Sequence, residues 1–429
     1  MSMKHLPMSR TLVGCVASVV VFGGLAVSAQ SAEPTRLTDE SLQVHRQSLV
    51  FDGHNSLVMQ LRKRKDLTVE SVDLTRFQQG LHTDIPRLRQ GGVGAQIFAT
   101  YVPLESVKKG AAVKETLEQI EQIRRLTERF PDTFELAASA SDIERIRQSG
   151  KVACVIAIEG GHAIDGSLAV LHAYHQAGAR CLALTHDDTH DWADAALDAV
   201  KHKGLTGFGE SVVREMNRLG MVIDLSHASV ETVQDTLKVS RAPVIFSHSG
   251  AAKLAPHPRN IPDDVLKLVA ANGGVVQVSF FTGFLTAKSV DAYQKRSQAA
   301  NDLRKTFKTP QQFELALTQW LADNPLPTTT VSDVVDHIDH IVAVAGIDHV
   351  GLGSNFDGMV SVPKNLDDVS CFPHVTQELL QRGYTSEQVR KILGGNTLRV
   401  FKAVEDASNS PAVPIARTPV APAASGSAQ

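Results

Sequence analysis

Apolar residues along the chain gather into short continuous runs separated by stretches of helical spacing. The runs fall at residues 49–52, 93–102, 152–158, 181–184, 221–225, 243–246, 275–280 and 350–352. Most are uninterrupted rather than alternating, the pattern of strands buried on both faces. Residues 113–130, 140–148, 210–219, 230–237, 263–271 and 331–345 carry apolar positions three and four apart and predict helices. Several open on Ser or Asp and stop at glycine, Gly220 and Gly346 among them, as helix caps require. Alternation of strand and helix eight times over predicts an α/β fold of the (β/α)8 TIM-like barrel type, with a doubly wound open sheet as the alternative. Residues 282–330 read as a helical insertion before the eighth strand, broken at Pro310, Pro325 and Pro327. No internal repeat of fixed period is present.

The two ends depart from this pattern. Residues 1–32 carry Lys4 and Arg10, then an apolar stretch, then the small-residue step Val27-Ser28-Ala29, which together predict a cleaved secretory signal. The apolar stretch falls short of the ~20 residues of a comfortable membrane span, so no span is expected in the mature form. From Glu405 to residue 429 the chain is rich in Ala, Pro and Ser and predicts a disordered tail. The barrel is therefore expected over residues 33–404, in a periplasmic or secreted protein. A composition of 43% hydrophobic and 21% charged residues supports a sizeable core. With 43 Lys and Arg against 46 Asp and Glu, a net charge of -3 argues against a nucleic-acid-coating role. The mature chain keeps three cysteines, Cys154, Cys181 and Cys371, an odd number that a disulfide scaffold within one chain cannot use completely.

Candidate chemistry sits at the ends of the predicted strands, where parallel barrels carry their catalytic residues. Those ends read Asp52-Gly53-His54, Ile158-Glu159-Gly160, Leu184-Thr185-His186, Leu225-Ser226-His227 and Phe246-Ser247-His248, and the eighth ends Gly353-Ser354-Asn355-Phe356-Asp357. Imidazoles and a carboxylate converging in a barrel mouth form a ligand set for Zn²⁺ or a similar divalent ion. A Glu can bridge two such ions, which together lower the pKa of a shared water. Arg259, in His257-Pro258-Arg259-Asn260, follows the sixth strand and would face the same mouth, where a guanidinium suits a substrate carboxylate. The acidic pair Asp263 and Asp264 reads as a helix start. Most of His186-Asp187-Asp188-Thr189-His190-Asp191 reads as a solvated loop, as does the basic run Arg62-Lys63-Arg64-Lys65, with recruitment of anionic substrates as its alternative.

At these residues the chain resembles the membrane (renal) dipeptidase family of zinc metallopeptidases. The motifs are Phe51-Asp52-Gly53-His54-Asn55, Thr83-Asp84-Ile85-Pro86-Arg87-Leu88, Gly91-Gly92-Val93-Gly94-Ala95-Gln96, Ile158-Glu159-Gly160, Leu184-Thr185-His186, Asp191-Trp192-Ala193-Asp194, Ile223-Asp224-Leu225-Ser226-His227, Ser247-His248-Ser249 and Arg259-Asn260-Ile261-Pro262-Asp263-Asp264. The resemblance runs from about Leu49 to Val404. It implies a distorted (β/α)8 barrel, usually dimeric, that hydrolyses dipeptides at a binuclear zinc site and tolerates a C-terminal D-residue. By that resemblance His54 binds the first zinc, Glu159 bridges both, and His227 and His248 hold the second. His186 and Arg259 contact the substrate, Arg259 through its free carboxylate.

Two positions depart from the family pattern. Its first motif is His-x-Asp, and here it stands as His54-Asn55-Ser56. Neutral Ser56 is a poor substitute for an anionic oxygen ligand. Its late motif is Gly-Ser-Asp-Phe-Asp-Gly, and here it stands as Gly353-Ser354-Asn355-Phe356-Asp357-Gly358. Asn355 keeps hydrogen-bonding shape but exchanges no proton at neutral pH. The sequence therefore supports an exported zinc dipeptidase-type hydrolase with one tight zinc site and an impaired second one. Its alternatives are a weakened homologue that binds a peptide metabolite, and a hydrolase or lyase that tailors one.

Overall fold

The computed structural model describes residues 36–63 and 68–409. The expected signal, 1–32, and the tail beyond 409 lie outside the described residues. Nine strands form one parallel sheet: β1 (Val50–Asn55), β2 (Val93–Tyr101), β3 (Phe134–Leu136), β4 (Val152–Glu159), β5 (Ala179–Ala183), β6 (Val222–Asp224), β7 (Ile245–Ser249), β8 (Val275–Val278) and β9 (Val350–Leu352). Pairing of β2 with β4 and of β9 with β1 closes the other eight into a barrel, so every predicted apolar run is a barrel strand. The addition is β3. It pairs with the first half of β4, from Phe134↔Val152 to Leu136↔Cys154, whereas β5 takes the same strand from Ile156 onward.

The ladder is uneven. In β2 and β4 seven consecutive residues are in register. By contrast β6 meets β7 at Asp224↔Ile245 alone, and β9 meets β1 at Asp52↔Leu352, with one further bridge at Asn55↔Phe356. Each thin junction carries a buried carboxylate in place of ladder bonds. Asp52 accepts from the backbone N–H and hydroxyl of Ser354, at 2.7 and 2.6 Å. Asp224 accepts from the N–H and hydroxyl of Ser247, at 3.0 and 2.5 Å, and from those of Ser226, at 3.0 and 2.6 Å. A hydrogen bond to a charged acceptor is worth about 1.5–3 kcal/mol, more than a neutral ladder bond.

The six predicted helices are present, with ends that follow cap chemistry. The helix Ala140–Gln148 starts where Ser139 accepts from the N–H of Asp142, and Gly207–Leu219 ends on Gly220 at φ 70°, where a side chain would strain. The insertion holds two helices, Ala287–Thr306 and Pro310–Asp323. Pro310 opens the second rather than breaking one, since a first-turn proline loses no helical bond; Pro325 and Pro327 sit in the non-helical connection that follows. The expected boundary at residue 404 is early. The last helix, Asn396–Asn409, continues through Glu405, whose carboxylate caps the N–H of Ala140 at 2.6 Å. Val400, Phe401 and Val404 from it pack with Leu49, Phe51, Ala95, Ala153 and Val275, and so plug the barrel where its strands begin. The opposite mouth is left for chemistry. Cys154, Cys181 and Cys371 are free thiols. Among the described residues no helix is long and apolar enough to cross a membrane.

Candidate metal centre

The fold delivers its polar side chains to one point because each strand stops at the same end of the barrel. His54 is on β1, Glu159 ends β4, His186 and His227 follow β5 and β6, and His248 is on β7. All five line one cleft of ≈ 650 Å³ with Ser56, Arg259 and Asn355. One oxygen of Glu159 lies 3.6 Å from Nε2 of His54, 4.0 Å from that of His186, 3.2 Å from that of His227 and 3.5 Å from that of His248.

Hydrogen bonds settle which nitrogens are free. Nδ1 of His227 faces the Asp187 carboxylate at 3.1 Å and must donate to it. The Ser247 hydroxyl gives its proton to Asp224, so it accepts from Nδ1 of His248 at 2.8 Å. Both Nε2 atoms therefore carry lone pairs, yet they face each other at 3.1 Å beside the carboxylate oxygen. Three donor atoms at 3.1, 3.2 and 3.5 Å form a pocket that a cation can take when the Arg259 N–H, 2.8 Å from Nε2 of His248, gives way to it. A tetrahedral ion with ligand bonds near 2 Å sets its ligand atoms about 3.3 Å apart, so the set fits a zinc-like ion. Two further groupings share Glu159: His54 with His248, and His186 with His227. His186, expected to contact substrate, thus also stands within ligand reach.

Electrostatics agree with cation binding. Burial holds His54 down to about 3 and His186 to about 4, and it holds His227 and His248 well below the usual range, so all four imidazoles are neutral donors at pH 7. Burial, then the nearby Asp224 charge, pushes Glu159 up to about 8. A bound cation would reverse that balance and hold the carboxylate ionised.

Arg259 is buried, and its guanidinium donates to the Ser226 carbonyl, to Ser249 Oγ at 3.4 Å and to Nε2 of His248 at 2.8 Å. No carboxylate among the described residues pairs with it. An unpaired buried cation is costly, which marks its surroundings as a site for an anion.

The membrane dipeptidase family (peptidase family M19) matches residues 38–413. The chain belongs to this family. Its members are metallodipeptidases, hydrolases acting on peptide bonds. Dipeptidase 3 of Mus musculus is 40% identical over 375 residues, which cover 86% of this chain and 67% of that protein. A crystal structure of the probable dipeptidase PvdM from Pseudomonas aeruginosa superposes with a TM-score of 0.73 at 25% identity, covering 86% of this chain and 98% of that one. A metallo peptidase from Rhodobacter sphaeroides, solved with a phosphinate mimic of L-Ala-D-Ala, shares the fold with a TM-score of 0.67 at 23% identity, covering 83% and 99%.

In this dipeptidase-family chain the two departing residues are neighbours. Ser56 Oγ lies 3.3 Å from Nε2 of His54. Asn355, at φ 64°, is held by a bond from its N–H to the His54 carbonyl at 3.1 Å. A side chain at Gly358 would meet Asn355 Oδ1 at 2.3 Å and Ser56 Oγ at 2.8 Å, so glycine there lets both reach the cleft. Sequence reasoning missed Asp187, which it placed in a solvated loop. Its position directly after a strand-end histidine was the available signal. The loop itself is pinned by buried Asp194, which accepts from the N–H groups of Lys201, His202 and Gly204. Tyr101, its ring tilted by 40° against His186 with ring centres 4.2 Å apart, had no sequence signal at all.

Proposed function

We propose that the protein is an exported, zinc-dependent dipeptidase-type hydrolase that works as a homodimer in the periplasm or outside the cell. The observation that carries the reading is one cleft holding both the converged donors around Glu159 and the unpaired Arg259 guanidinium. Glu159, His227 and His248 hold the zinc, with His54 and His186 beside them. When bound, the zinc supplies a water activated at neutral pH and polarises the scissile carbonyl. Arg259 takes the free carboxylate of the dipeptide and sets its amide over the donor set; the bound mimic of L-Ala-D-Ala in the Rhodobacter sphaeroides neighbour accords with a ligand of that size. Export rests on the sequence of residues 1–32.

A second reading draws on Ser56 and Asn355. All four imidazoles crowd one oxygen of Glu159, and among the described residues no second carboxylate pairs with the His54 ring, which favours a single tightly held ion and slow turnover. The protein would then bind or tailor a specialised peptide more than it digests dipeptides. Metal content after dialysis, followed by a panel of free-acid and amidated dipeptides, tests both. Zinc-dependent cleavage of free acids supports the first reading. Saturable binding without cleavage supports the second, and neither binding nor cleavage with any divalent ion refutes both.

A further inference from the structure

The cleft holds more than a dipeptide backbone needs. At ≈ 650 Å³ it lies in the range of sites that enclose drug-sized ligands. Arg259 and the metal donors account for the two ends of the scissile unit. Beside the apolar Met59, Leu197, Phe281, Phe284 and Met359, one wall comes from the insertion helix Ala287–Thr306, which turns Gln294, Arg296, Ser297, Gln298 and Asn301 to the cleft. Lys63, the last residue of the helix Leu57–Lys63 after β1, also lines it. These polar residues are not filling a core; they form a wall suited to a polar ligand.

The two cations in that wall differ from their neighbours in sequence. Arg62 pairs with Glu115 and Glu118, and Lys295 pairs with Asp291. Lys63 and Arg296 have no ion pair among the described residues. The acids of the cleft are engaged: Glu159 faces the imidazoles, and Asp187 is bonded to His227. Lys63 is close enough for its charge to be felt at both Glu159 and His186. The cleft thus has cationic capacity beyond the one guanidinium that a terminal carboxylate uses.

Resting on the dipeptidase reading, we propose that the cleft selects substrates that carry a second anionic group, dipeptides with an acidic side chain, and that Lys63 and Arg296 are the residues that select them. The test compares isosteres that differ by one charge: L-Ala-L-Glu against L-Ala-L-Gln, and L-Glu-L-Ala against L-Gln-L-Ala. Binding to the zinc-loaded protein is read by calorimetry and cleavage by kcat/KM. The acidic member of at least one pair should be favoured by about five-fold, the size of a partly exposed ion pair. The preference should sit in KM or affinity and shrink as salt rises from about 0.05 to about 0.5 M. Lys63→Gln and Arg296→Gln should each erode it. Both side chains are solvent-accessible, so the variants should fold. Equal binding within both pairs, or a preference that survives both substitutions, overturns the proposal and leaves the dipeptidase reading standing. A preference in binding with no cleavage of any member supports the proposal and counts against hydrolysis. No binding of any member overturns both.

Discussion

Restoring carboxylates at the two departing positions is the sharpest test of how this centre works. The change Ser56→Asp places an anionic oxygen where Ser56 Oγ now stands, 3.3 Å from Nε2 of His54. Two unit charges 4 Å apart at an effective dielectric near 20 interact by about 4 kcal/mol, and a divalent ion doubles that. Burying the new carboxylate beside Glu159 takes back most of the gain. A net near 2 kcal/mol is expected, roughly thirty-fold in affinity for a second ion. Asn355→Asp adds a proton-exchanging group in the same corner, since Ser56 and Asn355 both crowd Gly358. The assay is zinc per chain by elemental analysis after dialysis, with dipeptide turnover on the same samples. The parent protein should hold close to one zinc and turn over slowly. Ser56→Asp should raise the zinc content, and the double variant should raise turnover by more than the two single effects combined, because neighbouring groups couple. A parent protein that keeps two zincs and turns over at about 10 per second, an ordinary enzyme rate, would refute the reasoning.

Three other outcomes follow from the geometry. Arg259→Ala should weaken binding of free-acid dipeptides by about 1.5–3 kcal/mol and leave amidated ones unaffected; equal losses by calorimetry would remove its carboxylate role. Asp187→Asn should lower zinc affinity about ten-fold, since the partner of a ligating histidine typically matters by 10 to 100-fold, and unchanged competition with a chelating dye would count against it. Metal-free stability should vary with pH in two directions. The buried imidazoles titrate below their ordinary 6.5 in the fold, so the unfolded chain takes up more protons there and stability falls as pH drops from 6.5 towards 4. Glu159, raised to about 8, keeps a proton that the unfolded chain loses above 4.5, so its contribution is lost as pH rises through 8. Urea titrations in chelator should find greatest stability near pH 6.5, and zinc should bind more tightly at pH 8 than at pH 6.

The barrel was legible because parallel strands bury both faces and so appear as unbroken apolar runs. Strand β3 was not, because three residues, Phe134-Glu135-Leu136, carry too little pattern to separate from a loop. The donors His54, Glu159, His186, His227 and His248 were legible for the same reason as the strands, each marking a strand's end. What orients them was not. Asp187 lies among other acids, and Asp224 serves Ser247 through a bond that only the pairing of β6 with β7 creates. The insertion could be read as helical, but nothing in its composition tells that Arg296 turns towards the cleft. Glu405 appeared to belong to the Ala- and Pro-rich tail because its partner, the N–H of Ala140, is remote in sequence.

The two thin junctions divide the ring of strands unequally: β1, β2, β4, β5 and β6 form one arc, and β7, β8 and β9 the other. His54, Glu159, His186 and His227 belong to the larger arc, whereas His248, Arg259 and Asn355 belong to the smaller. An ion held by Glu159, His227 and His248 would therefore be a rivet through a split hoop as well as a reagent. Amide hydrogens of β7 and β9 should exchange sooner once chelator withdraws that rivet, while the long β2–β4 ladder keeps its protection. Conversely, a substrate carboxylate on Arg259 with its amide at the donor set would span the same gap. The part of the barrel best placed to feel the arrival of substrate is thus the part its own ladder holds least.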